Sequence, residues 1–132
     1  TAIEETAFHR ARFLAATNQP PIEIDLRSYA SDLDAHLHDI RGHQERAPEL
    51  YAPDPAHYGA AQSFAEGLRT QGSNGIVYDS VRHPGGECVA IFRPPVLSPV
   101  RQGKHYSYTW DGRAISHIVE KRLVDPSEGA PL

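Results

Sequence analysis

Four residues within a short stretch of this sequence carry side chains suited to ligand binding. Ser80, Arg82 and His83 lie between two apolar runs, and Tyr78 ends the first of these runs. A guanidinium group binds phosphate through two parallel hydrogen bonds, and hydroxyl groups bind ribose or phosphate oxygens. We therefore expect the end of a strand at this point to bind a ligand that carries phosphate or ribose.

Other interpretations of this stretch have less support. Ser80 and His83 could belong to a Ser–His–acid triad, but no Gly-x-Ser-x-Gly turn surrounds the serine. Gly85-Gly86 lacks the Lys-Ser/Thr of a phosphate loop, so a tight turn between strands explains the two glycines. Cys88 lies inside an apolar run and is predicted to be a buried structural thiol rather than a nucleophile.

A glutamate near the N-terminus is a second candidate for chemistry. Glu5 and His9 are four residues apart, so they share a face if this segment is helical. A carboxylate that faces a sheet there could stabilise a positive charge in a transition state. The alternative is a solvated helix in which Glu4 and Glu5 merely favour the positive end of the helix dipole. The pattern by itself leaves both open.

Eight histidines raise the question of a metal site. The densest cluster is His36-x-His38 with Asp39 and His43, and on a strand His36 and His38 would share a face. The spacing matches no recognised zinc site. We therefore predict surface or interface histidines, with no metal and no other cofactor.

The composition is that of an ordinary folded domain. Of 132 residues, 39% are apolar and 23% charged, which argues against a disordered chain. The net charge of −4 and the scattered Lys and Arg argue against nucleic-acid binding. No apolar run approaches the ~20 residues that a membrane helix needs. A single cysteine favours a cytoplasmic protein.

Hydrophobic spacing predicts an α+β fold with two helices against a mostly antiparallel sheet. One helix is expected over residues 1–16. The other is expected to begin at Asp54-Pro55 and to end near Gly72. Asp111-Gly112 predicts a two-residue hairpin turn. Strands are expected at 75–78, 88–92, 104–110 and 113–121.

Two segments are less regular. The alternating runs at 22–26 and 33–37 predict two strands, paired as a hairpin in one interpretation, although the second run also fits a helix. A polar loop is expected at 41–54, where a partner could bind. The tail, residues 125–132, is expected to be frayed.

Four stretches, in order, resemble the RES domain family, which is named for an Arg, a Glu and a Ser. They are TAIEETAFH at 1–9, YAPDPAHYGAAQSFA at 51–65, GIVYDSVRHPGGECVAIFRP at 75–94 and YTWDG at 108–112. The resemblance covers residues 1–124. It implies an ADP-ribosyltransferase-like fold and a bacterial toxin that degrades NAD+ and is neutralised by an Xre-type antitoxin.

The resemblance also implies roles for individual residues. The family Glu falls on Glu5, with Glu4 as the alternative, and the family Ser falls on Ser80. Glu5 would stabilise the oxocarbenium-like state formed when the nicotinamide–ribose bond breaks, and Ser80 would orient the substrate. Arg82 would bind the pyrophosphate or bond the sheet edge. Tyr78 and His83 are the remaining substrate-binding candidates.

Some expectations from the resemblance stay open. The family Arg and an aromatic partner precede the TAxxE helix at which this chain begins, so the chain would correspond to roughly the C-terminal two-thirds of the domain. An inactive module that only binds the antitoxin is one alternative, and a protein ADP-ribosyltransferase is another. The acceptor would be water or inorganic phosphate. A homodimer is a further candidate assembly.

Overall fold

The computed structural model describes residues 1–127 and confirms the α+β class. Two helices, six strands and three short 3₁₀ turns are present within these residues. The helices are α1 (Ala2–Ala16) and α2 (Gly59–Thr70). The strands are β1 (Ile22–Ala30), β2 (His38–Asp39), β3 (Gly75–Asp79), β4 (Glu87–Ile91), β5 (Arg101–Trp110) and β6 (Ile115–Lys121).

The chain divides into two compact units, and each contains a three-stranded sheet. Among the described residues, the first unit comprises 1–8 and 32–98, and the second comprises 9–31 and 99–127. The expectation of a single sheet is therefore wrong. The prediction that most of the strand pairing is antiparallel is confirmed, because only β2 and β3 run parallel. An ADP-ribosyltransferase-like arrangement stays a prediction.

In the first unit, β3 is the central strand between β2 and β4. Its antiparallel register with β4 places Tyr78 opposite Cys88. Ile76 on β3 is 4% exposed, which makes this strand part of the unit's core. Because side chains alternate along a strand, Ile76 and Tyr78 point to the same side of β3.

The start and end of α2 follow the predicted signals with one difference. Asp54 Oδ1 accepts a 2.9 Å hydrogen bond from the Ala56 amide, so Asp54 is an N-cap residue, as predicted. It caps the 3₁₀ turn Pro55–His57, however, and α2 begins only at Gly59. After the helix, Gly72 adopts φ +86°, the left-handed conformation that glycine tolerates.

In the second unit, β5 lies between β1 and β6, and all pairs are antiparallel. Ile24 and Leu26 of β1 are half-buried between exposed neighbours, as the alternation predicts. Trp110 is 1% exposed, and its Nε1 donates a 2.8 Å hydrogen bond to the Gln19 carbonyl. The hydrogen bond lets a large polar-tipped ring be buried without an unpaired donor.

The interpretation of 22–26 and 33–37 as a hairpin is wrong. β1 pairs with β5, and the 33–37 run contributes only an isolated bridge between Leu33 and Leu97. Only three apolar residues alternate in the 33–37 run, and no two-residue turn signature separates it from β1. β5 offers a longer partner strand, so its pairing with β1 prevails.

The β5–β6 hairpin is confirmed, with its turn shifted by one residue. The Asp111 amide donates to the Ala114 carbonyl at 3.0 Å, so residues 112 and 113 form the turn. The Asp111 carboxylate accepts hydrogen bonds from the amides of Arg113 and Ala114, both at 2.8 Å. Residues 125–127 of the predicted tail are exposed, and residues 128–132 lie outside the described part of the chain.

Candidate functional site

Glu5 and Ser80 are in direct contact in the first unit. The Ser80 hydroxyl donates a 2.6 Å hydrogen bond to Glu5 Oε1, although the residues are 75 positions apart. Ser80 is 8% exposed, and Glu5, on the first turn of α1, is half-buried. Glu4 is exposed, and its Oε2 lies 4.0 Å from His83 Nδ1. Of the two glutamates, Glu5 is therefore the one with the geometry to act together with Ser80.

The Ser80 hydroxyl group also stabilises the turn between β3 and β4 by hydrogen bonding. Its oxygen accepts hydrogen bonds from the amides of Arg82 at 3.2 Å and His83 at 3.1 Å. Backbone bonds close the turn, because the Ser80 amide donates to the Gly86 carbonyl and the Gly86 amide donates to the His83 carbonyl. A serine that bonds amides two and three residues ahead is a typical turn-stabilising arrangement. The same hydroxyl therefore fixes the turn and contacts Glu5.

Tyr78 and Cys88 also interact with Glu5. The Cys88 thiol donates to Glu5 Oε1 at 3.6 Å. Burial, followed by the negative charge of Glu5, raises the pKa of the Cys88 thiol. Burial also raises the pKa of Tyr78 to about 12, with Cys88 and Glu5 as further causes. Both groups are thus held in their neutral, protonated forms, which suits Tyr78 to donating hydrogen bonds and makes Cys88 a poor nucleophile.

The Arg82 side chain forms hydrogen bonds and a ring contact with other parts of the first unit. One of its terminal nitrogens, Nη2, donates to the Pro53 carbonyl and to the Tyr58 hydroxyl, the latter at 3.1 Å. Its guanidinium carbon lies 3.4 Å from the centre of the Phe8 ring. These contacts favour the structural alternative of the two roles predicted for Arg82 over pyrophosphate binding.

His83 contacts the start of α1. Its Nδ1 lies 2.8 Å from Thr1 Oγ1 in a hydrogen bond. Gly86 permits this approach, because a Cβ at residue 86 would collide with Thr1 Oγ1 and would lie 2.5 Å from His83 Nδ1. Gly85, with φ +80°, supplies the left-handed turn residue that the tight-turn interpretation requires.

An open groove of about 500 Å³ adjoins Ser80. It is lined by Gln44, Pro48, Tyr51, Pro53, Ser80 and Val81. Most of these residues belong to the predicted 41–54 loop, so this loop forms one wall beside the predicted site residue.

Sequence reasoning missed the residues that anchor this loop. Asp79 Oδ2 accepts 2.7 Å hydrogen bonds from the Gly42 amide and from Gln44 Nε2. The buried Tyr51 donates its hydroxyl to the Ile40 carbonyl. Asp79 directly precedes Ser80 at the end of β3, and this position was the only feature of the sequence that could have indicated a role for Asp79 in the site. Its long-range partners follow no local spacing.

A charged network lies at the same end of the sheet. Arg41 bonds Asp39 through Nε at 2.9 Å and Nη2 at 2.7 Å, and it bonds Glu87 through Nη1 at 2.8 Å. The Arg41 guanidinium lowers the pKa of Asp39 to about 2. All three side chains are solvent-exposed, so the network orients the loop start more than it stabilises the fold.

The histidine cluster is not assembled as a metal site. His38 Nδ1 lies 2.8 Å from Ser73 Oγ, and Asp39 binds Arg41 instead. Within residues 1–127, no three His, Cys, Asp or Glu side chains form a group that could hold a metal ion.

A family model described as the RES domain matches residues 1–111. The chain belongs to the RES domain family. This confirms the resemblance that the four sequence stretches carry. The matched segment contains both Glu5 and Ser80, the positions onto which the family's Glu and Ser were placed.

One curated relative of this RES domain chain is "Uncharacterized protein y4oC" from Sinorhizobium fredii (strain NBRC 101917 / NGR234). The two are 28% identical over 116 residues, which cover 88% of this chain and 46% of the relative. The chain thus spans less than half the length of that relative. No solved structure gives a significant match. No helix described in residues 1–127 has the length and apolar character to cross a bilayer.

Proposed function

We propose that this RES domain chain is part of a cytoplasmic enzyme that cleaves the nicotinamide–ribose bond of NAD+. The observation that carries the proposal is the contact between Glu5 and Ser80, the two positions onto which the sequence resemblance places the family's Glu and Ser. The proposal includes the biological role that the resemblance implies, which is a toxin that depletes bacterial NAD+ and is neutralised by an Xre-type antitoxin.

The chemistry explains why a glutamate is needed. As the bond between ribose C1′ and the nicotinamide nitrogen breaks, its electron pair leaves with nicotinamide and positive charge develops on the ribose. A fixed carboxylate beside that carbon stabilises the charge. Water or inorganic phosphate then forms the new C1′–O bond, and water gives up a proton to solvent. Glu5 is the stabiliser in this scheme.

The remaining contacts of Ser80 suit it to orienting the substrate rather than to attacking it as a nucleophile. Its hydroxyl proton is directed at Glu5, and its oxygen already accepts from two amides of the turn. A ribose hydroxyl or the nicotinamide amide would compete for, or add to, the Glu5–Ser80 hydrogen bond. The groove beside Ser80 provides the adjoining space, and the neutral Tyr78 phenol supplies a donor close to Glu5.

The test is NAD+ consumption by the full-length protein, with Glu5→Gln and Glu4→Gln as a matched pair. Products are separated by chromatography with and without inorganic phosphate, which identifies the acceptor. We expect Glu5→Gln to lower the rate by about 10²-fold or more, as loss of an electrostatic stabiliser does. Glu4→Gln should change it by about twofold at most, because Glu4 is exposed.

Other outcomes separate the alternatives. If purified wild-type protein binds an Xre-type partner but consumes no NAD+, the chain is a binding module. If label from adenine-labelled NAD+ remains on protein, the enzyme is a protein ADP-ribosyltransferase. If Glu5→Gln retains the wild-type rate, the assignment of Glu5 is wrong.

A further inference from the structure

We propose that Arg82 is a positioning residue that holds the Glu5–Ser80 pair in its reactive geometry, rather than a ligand for the substrate's phosphates. The effect of Arg82 on the rate of NAD+ cleavage depends on the proposed function, whereas its structural contacts do not. The structural basis of the inference is that the backbone of Arg82 contacts Ser80 itself, while the side chain of Arg82 contacts Phe8, which lies on the same face of α1 as Glu5.

The backbone of Arg82 acts on Ser80. Its amide donates a 3.2 Å hydrogen bond to Ser80 Oγ, and that hydroxyl donates to Glu5. With its oxygen bound to amides of the turn, the hydroxyl can direct its proton outward to the glutamate. The orientation of the Ser80 hydroxyl therefore depends on where residue 82 is held.

The side chain of Arg82 acts on α1 through Phe8. The guanidinium lies over the Phe8 ring, with 3.4 Å between its central carbon and the ring centre. Phe8 and Glu5 are three residues apart on α1, so they occupy the same face of the helix. Stacking on Phe8 thus fixes the part of α1 that presents Glu5.

The same guanidinium also reaches the segment that enters α2. Nη2 donates to the Pro53 carbonyl and the Tyr58 hydroxyl, which flank the 3₁₀ turn Pro55–His57. Pro53 also lines the groove beside Ser80. One side chain therefore joins the 80–86 turn, the beginning of α1 and the groove wall.

These simultaneous contacts require the guanidinium of arginine rather than another cationic side chain. The planar guanidinium can stack on a ring and donate from its edge at the same time, which the ammonium of lysine cannot do. Within residues 1–127, the buried Nε has no hydrogen-bond acceptor. Because an unpaired buried donor is unfavourable, the ring and Nη2 contacts must determine where this side chain lies.

The test compares Arg82→Lys with Tyr58→Phe and Phe8→Leu in the full-length protein. For Arg82→Lys we expect kcat for NAD+ cleavage to fall by about 10- to 100-fold, with KM within about threefold of wild type. Tyr58→Phe and Phe8→Leu each remove one contact and should give smaller losses in kcat. A rise in KM with kcat unchanged would show that Arg82 binds substrate and would overturn the proposal.

Amide hydrogen exchange tests the same inference without relying on activity. In Arg82→Lys, the hydrogen-bonded amides of residues 82, 83 and 56–58 should exchange about three- to tenfold faster, the effect of weakening one hydrogen bond. Amides of β5 should be unchanged. Unaltered exchange at 56–58 and 82–83 would overturn the proposal, whether or not the wild-type protein consumes NAD+.

Discussion

Ser80 Oγ and Glu5 Oε1 are 2.6 Å apart, which links the beginning of α1 to the turn that follows β3. Glu5 Oε1 also accepts from the Cys88 thiol on β4. One carboxylate oxygen therefore contacts both the turn that follows β3 and strand β4. The position of Glu5 is therefore coupled to that of Ser80 and of β4.

Ser80→Ala is expected to reduce both stability and activity. The substitution removes the acceptor for the amides of Arg82 and His83 and the donor to Glu5, all in a buried position. Loss of a buried hydrogen-bonding group costs about 1–3 kcal/mol of unfolding free energy. Urea denaturation measures this loss, and Ser63→Ala on the exposed face of α2 is the control. Equal midpoints for the two variants would contradict the role given to Ser80.

Gly86 and Gly67 should respond to alanine in opposite directions. A Cβ at residue 86 would collide with Thr1 Oγ1 and the His83 ring, so Gly86→Ala should destabilise by about 1–3 kcal/mol. A Cβ at residue 67, inside α2, meets nothing within 4 Å. Gly67→Ala should stabilise by about 0.5–1 kcal/mol because alanine favours the helix. Thermal unfolding of both variants measures the contrast, and a stabilised Gly86→Ala would refute the close approach.

The elements that local patterns specify are the ones the sequence predicted well. The helical period of α1, the alternation in β1 and the Asp111 turn all depend on neighbouring residues. The failures concern partners that are distant in sequence. The alternation at 33–37 gives no information on whether β1 pairs with that run or with β5. It likewise cannot show that the strands form two sheets.

In the candidate site, too, the sequence indicated single residues but not their partners distant in sequence. The polar residues after β3 made Ser80 a candidate, and the spacing from His9 together with the family resemblance made Glu5 one. A structural role for Arg82 was one of two alternatives, but the sequence did not predict the partners of Arg82 or His83. Arg82 contacts Phe8 and His83 contacts Thr1, each more than 70 positions earlier in the chain. Asp79 was overlooked for the same reason, because its partners are in the 41–54 loop. Such contacts depend on the tertiary fold.

Cys88 should react slowly with iodoacetamide at pH 8, and Glu5→Gln should accelerate the reaction. Burial and then the Glu5 charge raise the pKa of the thiol, and only the thiolate reacts. Removing that charge lowers the pKa of the thiol and increases the thiolate fraction, so the rate of alkylation should rise. The rate is followed by mass spectrometry, with Glu4→Gln as the control. If both variants accelerate equally, the contact between Glu5 and Cys88 is not the cause.

Tyr78 should ionise only at strongly alkaline pH. Burial, aided by Cys88 and Glu5, raises the pKa of this phenol to about 12 in the folded protein. An unfolded tyrosine has a pKa of about 10, so folding favours the neutral phenol. Its contribution to stability is therefore fully present below about pH 10 and is lost as pH rises from about 10 to about 12.

The measurement for Tyr78 is absorbance at a wavelength specific to tyrosinate after rapid pH jumps, read before the protein unfolds. The difference between wild type and Tyr78→Phe isolates one phenol among the six tyrosines. We expect the difference curve to rise near pH 12. A rise near pH 10 would show that Tyr78 is solvated, and would contradict the effect that burial, Cys88 and Glu5 have on the pKa of this half-buried phenol.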